Sequence, residues 1–146
     1  MTTKQDVTRR EAEAWARFQD AVNAVPEERR ETPALEAGWS AKDVVWHVAF
    51  WWRDVIRASR EGWRGEEAST DDVNLREQQR SRSLPMVEVL AEVDDVRRQL
   101  LAAWAEAEAT DEAIEYFTSE TIEHYEEHQA PLLAFAADPN VRSRGG

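Results

Sequence analysis

Residues 40–56 read SAKDVVWHVAFWWRDVI. Ser40 stands where a helix N-cap belongs, and Asp43 follows three residues later to make an imperfect capping box. Val44, Val45, Val48, Trp51, Trp52, Val55 and Ile56 then recur at helical spacing, which predicts a broad buried face. Gly62 and Gly65 mark the end of this helix. One charge-capable residue interrupts the apolar side: His47, three residues after Val44 and four before Trp51.

Working outward, the same 3.6-residue period recurs on both sides. Val7, Trp15, Phe18, Val22 and Val25 form a single stripe over residues 6–25, and Pro26 stops it. The following PEERRETPALEAG reads as an irregular loop. Residues 66–83 are polar and predict a long connection with a short helix around Val73–Arg80. SLPM opens another helix, with Ser83 as its cap and Pro85 in its first turn. Met86, Leu90, Val93, Leu100 and Trp104 carry that stripe. A last helix is expected from about Thr118, holding Ile122, Tyr125, Leu132, Leu133 and Phe135. Pro131 removes one backbone hydrogen bond near its middle, so a kink or restart is expected there. No stretch alternates long enough for a strand. The expected fold is all-α, a four-helix bundle with long loops between helices 1–2 and 2–3, over residues 1–137. Residues 138–146 read as a flexible tail.

Composition narrows the function classes. The 146 residues carry 30 acidic and 18 basic side chains, a net charge of −12. Such a field repels a nucleic-acid backbone, and the arginine pairs of EERRE and DDVRRQ are each flanked by carboxylates. No window has the eighteen or so unbroken apolar residues of a membrane span. MTTKQDVTRR precedes no apolar leader core, so the expected location is cytoplasmic. With no cysteine, disulfides, thiolate zinc sites and cysteine nucleophiles are excluded. Neither a phosphate-cradling glycine loop nor a glycine-flanked serine is present.

The chain has three histidines, and IEHYEEHQ at 122–129 holds two of them. Positions i and i+4 share a helix face with Cβ atoms about 6 Å apart, so His124 and His128 can meet on one ion. No glutamate follows His124 directly, which excludes the zinc-protease pattern. His47 read alone is more often a core histidine bonded to a carbonyl. If the last helix turns inward, however, all three imidazoles converge. Three nitrogens without a fourth protein ligand leave one position open, the arrangement of a catalytic zinc site. Imidazole also suits nickel, iron and copper.

The combination GWSAKDVVWHVAFWWRDVI, DDVNLREQQRSRSLPMVEVLAEVDDVRRQLLAAW and TIEHYEEHQAPLLAF resembles the DinB-like superfamily over roughly residues 8–136. The branch it is most similar to contains the colibactin self-resistance protein and the N-terminal domains of mycothiol-dependent maleylpyruvate isomerases. The resemblance implies a four-helix bundle with one divalent ion, zinc, nickel or iron, on His47, His124 and His128. It further implies an enzyme that transfers a low-molecular-weight thiol such as mycothiol to an electrophilic small molecule, or hydrolyses that molecule. A non-catalytic protein that sequesters a small molecule is the alternative. The expected partner is a small molecule, with neither nucleic acid nor membrane; a homodimer is compatible.

Around the histidines, Trp39 and Trp46 are expected to wall a pocket, while Trp51 and Trp52 fill the core. Asp43 has two readings. It is a first-turn acid favoured by the helix dipole, or it accepts the proton on the second ring nitrogen of His47. The first is preferred. Asn74 stands to bond a ligand if residues 66–83 close over the bundle mouth. Tyr125 points about 100° away from His124 and is expected to pack. Glu123, Glu126 and Glu127 read as solvated.

Overall fold

Capping chemistry sets where the first two helices begin. In the computed structural model, which describes residues 2–35, 38–65 and 70–142, α1 spans Lys4–Ala24 and α2 spans Ala41–Glu61. The Thr3 hydroxyl of the first accepts from the Asp6 N–H at 3.1 Å. At the second, the Ser40 hydroxyl accepts from Asp43 N–H at 3.1 Å, while Asp43 Oδ2 accepts from Ser40 N–H at 2.9 Å. The box is therefore complete with aspartate in the glutamate's place, and it satisfies two N–H groups that would otherwise be orphaned. Gly62 caps the far end at φ 126°, a conformation that disfavours any side chain.

The chain then forms α3 (Thr70–Arg82), longer than the short helix expected from the sequence, and α4 (Met86–Glu106). Ser83 does not cap α4. Its hydroxyl donates to Arg80 O at 2.7 Å, closing the end of α3, and Pro85 occupies the cap position. The buried stripe of α4 is Val89, Val93, Val96, Leu100 and Trp104, whereas Leu90 is exposed.

The last long helix starts seven residues earlier than expected from Thr118. It comprises α5 (Asp111–Thr118), a π-helical turn (Ser119–Glu123) and α6 (His124–Ala137). The Thr110 hydroxyl accepts from Ala113 N–H, and Asp111 and Glu112 complement the helix dipole. Helical structure runs on through Pro131; the irregularity lies in the π turn, two turns before it. A short α7 (Pro139–Arg142) follows where a tail was expected, and 143–146 lie outside the described residues.

These elements make an all-α four-helix bundle, with no strand among the described residues. α2 packs along α4, α1 along α6, and α3 lies across α2. Trp15, Phe18, Trp52 and Tyr125 fill one end of the core, while Trp104 stacks on Phe117 at 4.1 Å. A charged pair is buried among them. Glu11, fully buried, accepts from Arg97, whose guanidinium lies over the Trp15 ring at 5.1 Å. No helix among the described residues is long and apolar enough to cross a membrane.

Candidate metal centre

α2 contributes His47 and the last helix contributes His124 and His128. Each sits on an inward stripe, so packing the two helices brings the imidazoles together. His47 Nε2 lies 3.0 Å from His124 Nε2, which lies 3.1 Å from His128 Nε2. One nitrogen from each of the three falls within 4.8 Å of the others.

The donor set has a shortage of hydrogens in the right places. His124 Nε2 faces two other ring nitrogens, and a neutral imidazole nitrogen either donates or accepts but not both. Protonation does not resolve the conflict. Burial, then the neighbouring histidines, holds His47 down at about 2; burial and His128 hold His124 at about 3. His128 is lowered as well, chiefly by burial. Three neutral imidazoles therefore crowd their Nε2 atoms into one small space at neutral pH, where His124 Nε2 must serve both neighbours with a single lone pair or a single N–H. A divalent cation would instead take one lone pair from each ring. The residues fit a metal.

A cavity of about 860 Å³ opens directly off this cluster, within the range of small-molecule sites. Trp39, Phe50 and Trp51 supply its aromatic wall, with the Trp39 ring 4.9 Å from that of His47. α3 closes one side through Val73 and Asn74, and Asn74 Oδ1 accepts from Trp51 Nε1 at 3.0 Å. Tyr116, Glu120 and Asp54 also line the cavity. There the Tyr116 hydroxyl donates to Asp54, whose other oxygen accepts from Arg57 at 2.8 Å. Burial and Asp54 raise the Tyr116 hydroxyl above its usual range. Burial, then Asp54, pushes Glu120 up to about 7.

Several sequence expectations are corrected here. Trp46 does not wall the cavity. It is buried between α2 and α3, its Nε1 directed at Glu77 Oε2 at 3.5 Å and the guanidiniums of Arg53 and Arg80 over its ring. Trp51 takes the place expected for it. The two exchange roles because α3 covers the Trp46 side of α2, a docking that the α2 pattern does not encode. Asp43 is buried and engaged away from His47: one oxygen serves the cap and the other accepts from the Ser81 hydroxyl of α3. Tyr125 is not at the cavity. It is fully buried, its hydroxyl accepting from Trp52 Nε1 at 2.8 Å and donating to Glu11 at 3.3 Å. Glu127, read as solvated, reaches the rim.

The reading from sequence missed Asp54, Tyr116 and Glu120. Two spacings carried the signal. Asp54 lies seven residues after His47, two helical turns along the same face, and Tyr116, Glu120, His124 and His128 repeat every four. The second was hidden by starting the last helix too late.

The chain belongs to the DinB superfamily, whose family model matches residues 12–135. The superfamily is often metal-binding, and the histidine triad found here is placed to hold a metal ion. No curated protein and no solved structure matches the chain.

Proposed function

We propose that this protein is a divalent-metal-dependent enzyme that adds a low-molecular-weight thiol, or water, to an electrophilic small molecule. The observation that carries the reading is the histidine triad at the wall of a cavity large enough for both a nucleophile and a substrate. His47, His124 and His128 would hold the ion. Bound there, the ion would make a thiolate or hydroxide available at neutral pH.

The chain's own residues supply orientation and exclusion of water. Trp39, Phe50 and Trp51 offer flat apolar faces against which a substrate body packs. The Trp51–Asn74 hydrogen bond ties the cavity wall to α3, which covers one side and so limits solvent entry. Asp54, held by Arg57 and Tyr116, keeps its part of the cavity polar and fixed. The low proton affinity of His47 and His124 keeps both as ligands well below neutral pH.

The test begins with elemental analysis of untagged protein, for which about one ion per chain is expected. Zinc-loaded protein is then incubated with N-acetylcysteine and monobromobimane, and thiol consumption is followed. Consumption above the uncatalysed rate that disappears with a chelator is the expected result. Absence of metal refutes the reading. Metal with no reaction of any thiol or of water leaves a sequestering protein, for which the aromatic wall is already suited.

A further inference from the structure

Tyr116, Glu120, His124 and His128 are each four residues apart, and all four line the cavity. On an unbroken α-helix such a row drifts about 40° per step, or roughly 120° from first to last. Its first members would then turn off the cavity wall. The π turn over Ser119–Glu123 prevents this. Its hydrogen bonds close one residue later than those of an α-helix, which under-winds the chain and takes back part of the drift. The turn thus sets the Glu120 carboxyl on the same wall as the imidazoles, with its Cβ about 5–6 Å from that of His124.

Glu120 is also the acid on that wall with nothing to do. It has neither a hydrogen-bond nor an ion-pair partner among the described residues. Asp54 beside it is fully engaged by Tyr116 and Arg57. The Tyr116 proton is committed to Asp54, so the tyrosine does not serve as an acid. Glu127 reaches the cavity only from the exposed rim. A half-buried carboxyl without a partner is unfavourable unless it has a use. Its surroundings hold it ready to exchange a proton near neutrality. The other groups facing the cavity are Arg53 from α2, which is paired with Glu92, and Arg76 from α3 at the rim.

We propose that Glu120 is the proton-transfer residue of this site, taking the proton from a thiol that enters the space before the three histidines. This inference rests on the thiol-transfer reading above. The thiol S–H proton passes to a Glu120 carboxylate oxygen as the thiolate is formed. The sulfur then forms its bond to the electrophilic carbon while the bond from that carbon to the leaving atom breaks. Glu120 returns the proton to the leaving atom where that atom is basic, or to water where it departs as a halide, so the carboxylate is regenerated and no oxidant or reductant is needed.

The test counts protons and does not depend on turnover. Zinc-loaded full-length protein is titrated with N-acetylcysteine at pH 8 by calorimetry, in two buffers of different ionisation enthalpy. The negative charge of the bound thiolate raises the proton affinity of the Glu120 carboxyl further, so wild type is expected to release fewer protons per thiol bound than Glu120→Gln. Glu120→Ala, which has no acceptor either, should match the glutamine variant, and zinc content should be the same in all three. Turnover of N-acetylcysteine with monobromobimane should fall about 100-fold or more in both variants. Equal proton release by wild type and variants, with the thiol still bound, overturns the role of Glu120 alone. So does loss of zinc from Glu120→Gln, which would make the residue a ligand, or a changed proton count in Glu127→Gln in its place. Failure of the thiol to bind any zinc-loaded form refutes the thiol-transfer reading, and this inference with it.

Discussion

Acidifying the metal-stripped protein sets two parts of the site against each other, and the balance can be worked out. His47 and His124 are held near 2 and 3 in the fold, against 6.5 when unfolded. The unfolded chain therefore binds more protons below pH 6.5, and stability falls as the pH drops. Between pH 7.5 and 5.0 each neutral histidine loses about 2 kcal/mol, or about 4 kcal/mol together. Glu120 works in the other sense. Its folded value of about 7 lies above the ordinary 4.5, so the folded state gains protons and stability as the pH falls through 7. Over the same interval it returns about 2 kcal/mol. These three groups together cost the wild type about 2 kcal/mol net, roughly 4–8 °C in Tm for a chain of this length, and His128, lowered by burial, adds to the fall equally in every protein compared. Glu120→Gln removes the offset, so its fall should be roughly 8–16 °C. His47→Asn removes one of the opposing groups and should nearly abolish the net loss. The assay is thermal unfolding by circular dichroism in chelator at the two pH values. All other titrating groups are common to the proteins compared and cancel in the difference. An acid response identical in wild type, Glu120→Gln and His47→Asn would show that none of these groups is displaced by its surroundings, and the electrostatic account of the site would be wrong.

Three further outcomes separate the site from its scaffold. His128→Ala should lose the metal, by elemental analysis, yet keep a cooperative thermal transition, because apolar stripes and not the ion hold the helices together; an unfolded variant would make the metal structural. Asp43→Ala should cost about 1–3 kcal/mol in urea unfolding through the lost cap and the lost Ser81–Asp43 hydrogen bond. Its metal affinity should be unchanged, and a weakened metal site would restore a direct link between Asp43 and His47. Arg97→Met leaves the fully buried Glu11 unpaired and should destabilise by about 3–5 kcal/mol in the same assay; a loss under about 1 kcal/mol would mean the pair is not a buried charge pair.

The sequence alone determined the helical class, the long helices of the bundle and the three histidines of the candidate site. Those features are local or periodic. The Ser40–Asp43 box is written within four residues, the α2 stripe repeats every turn, and His124 and His128 share a face wherever their helix goes. Their meeting with His47 needed only that both inward stripes face the core. Tertiary structure decided the rest. Val89 lies inward and Leu90 outward because α4 meets α2 at one angle among several that the apolar residues allow. Trp46 is buried and Trp51 faces the cavity because α3 docks on one flank of α2, through contacts such as Trp46–Glu77 and Asp43–Ser81 that span more than thirty residues. Nor did the residues announce the π turn, whose single extra residue per hydrogen-bonded ring keeps Glu120 in line with the histidines. A carboxylate becomes a proton carrier through what surrounds it in space, and for Glu120 that means burial in the cavity beside the carboxylate of Asp54. Nothing in its own stretch of chain distinguishes it from the other glutamates.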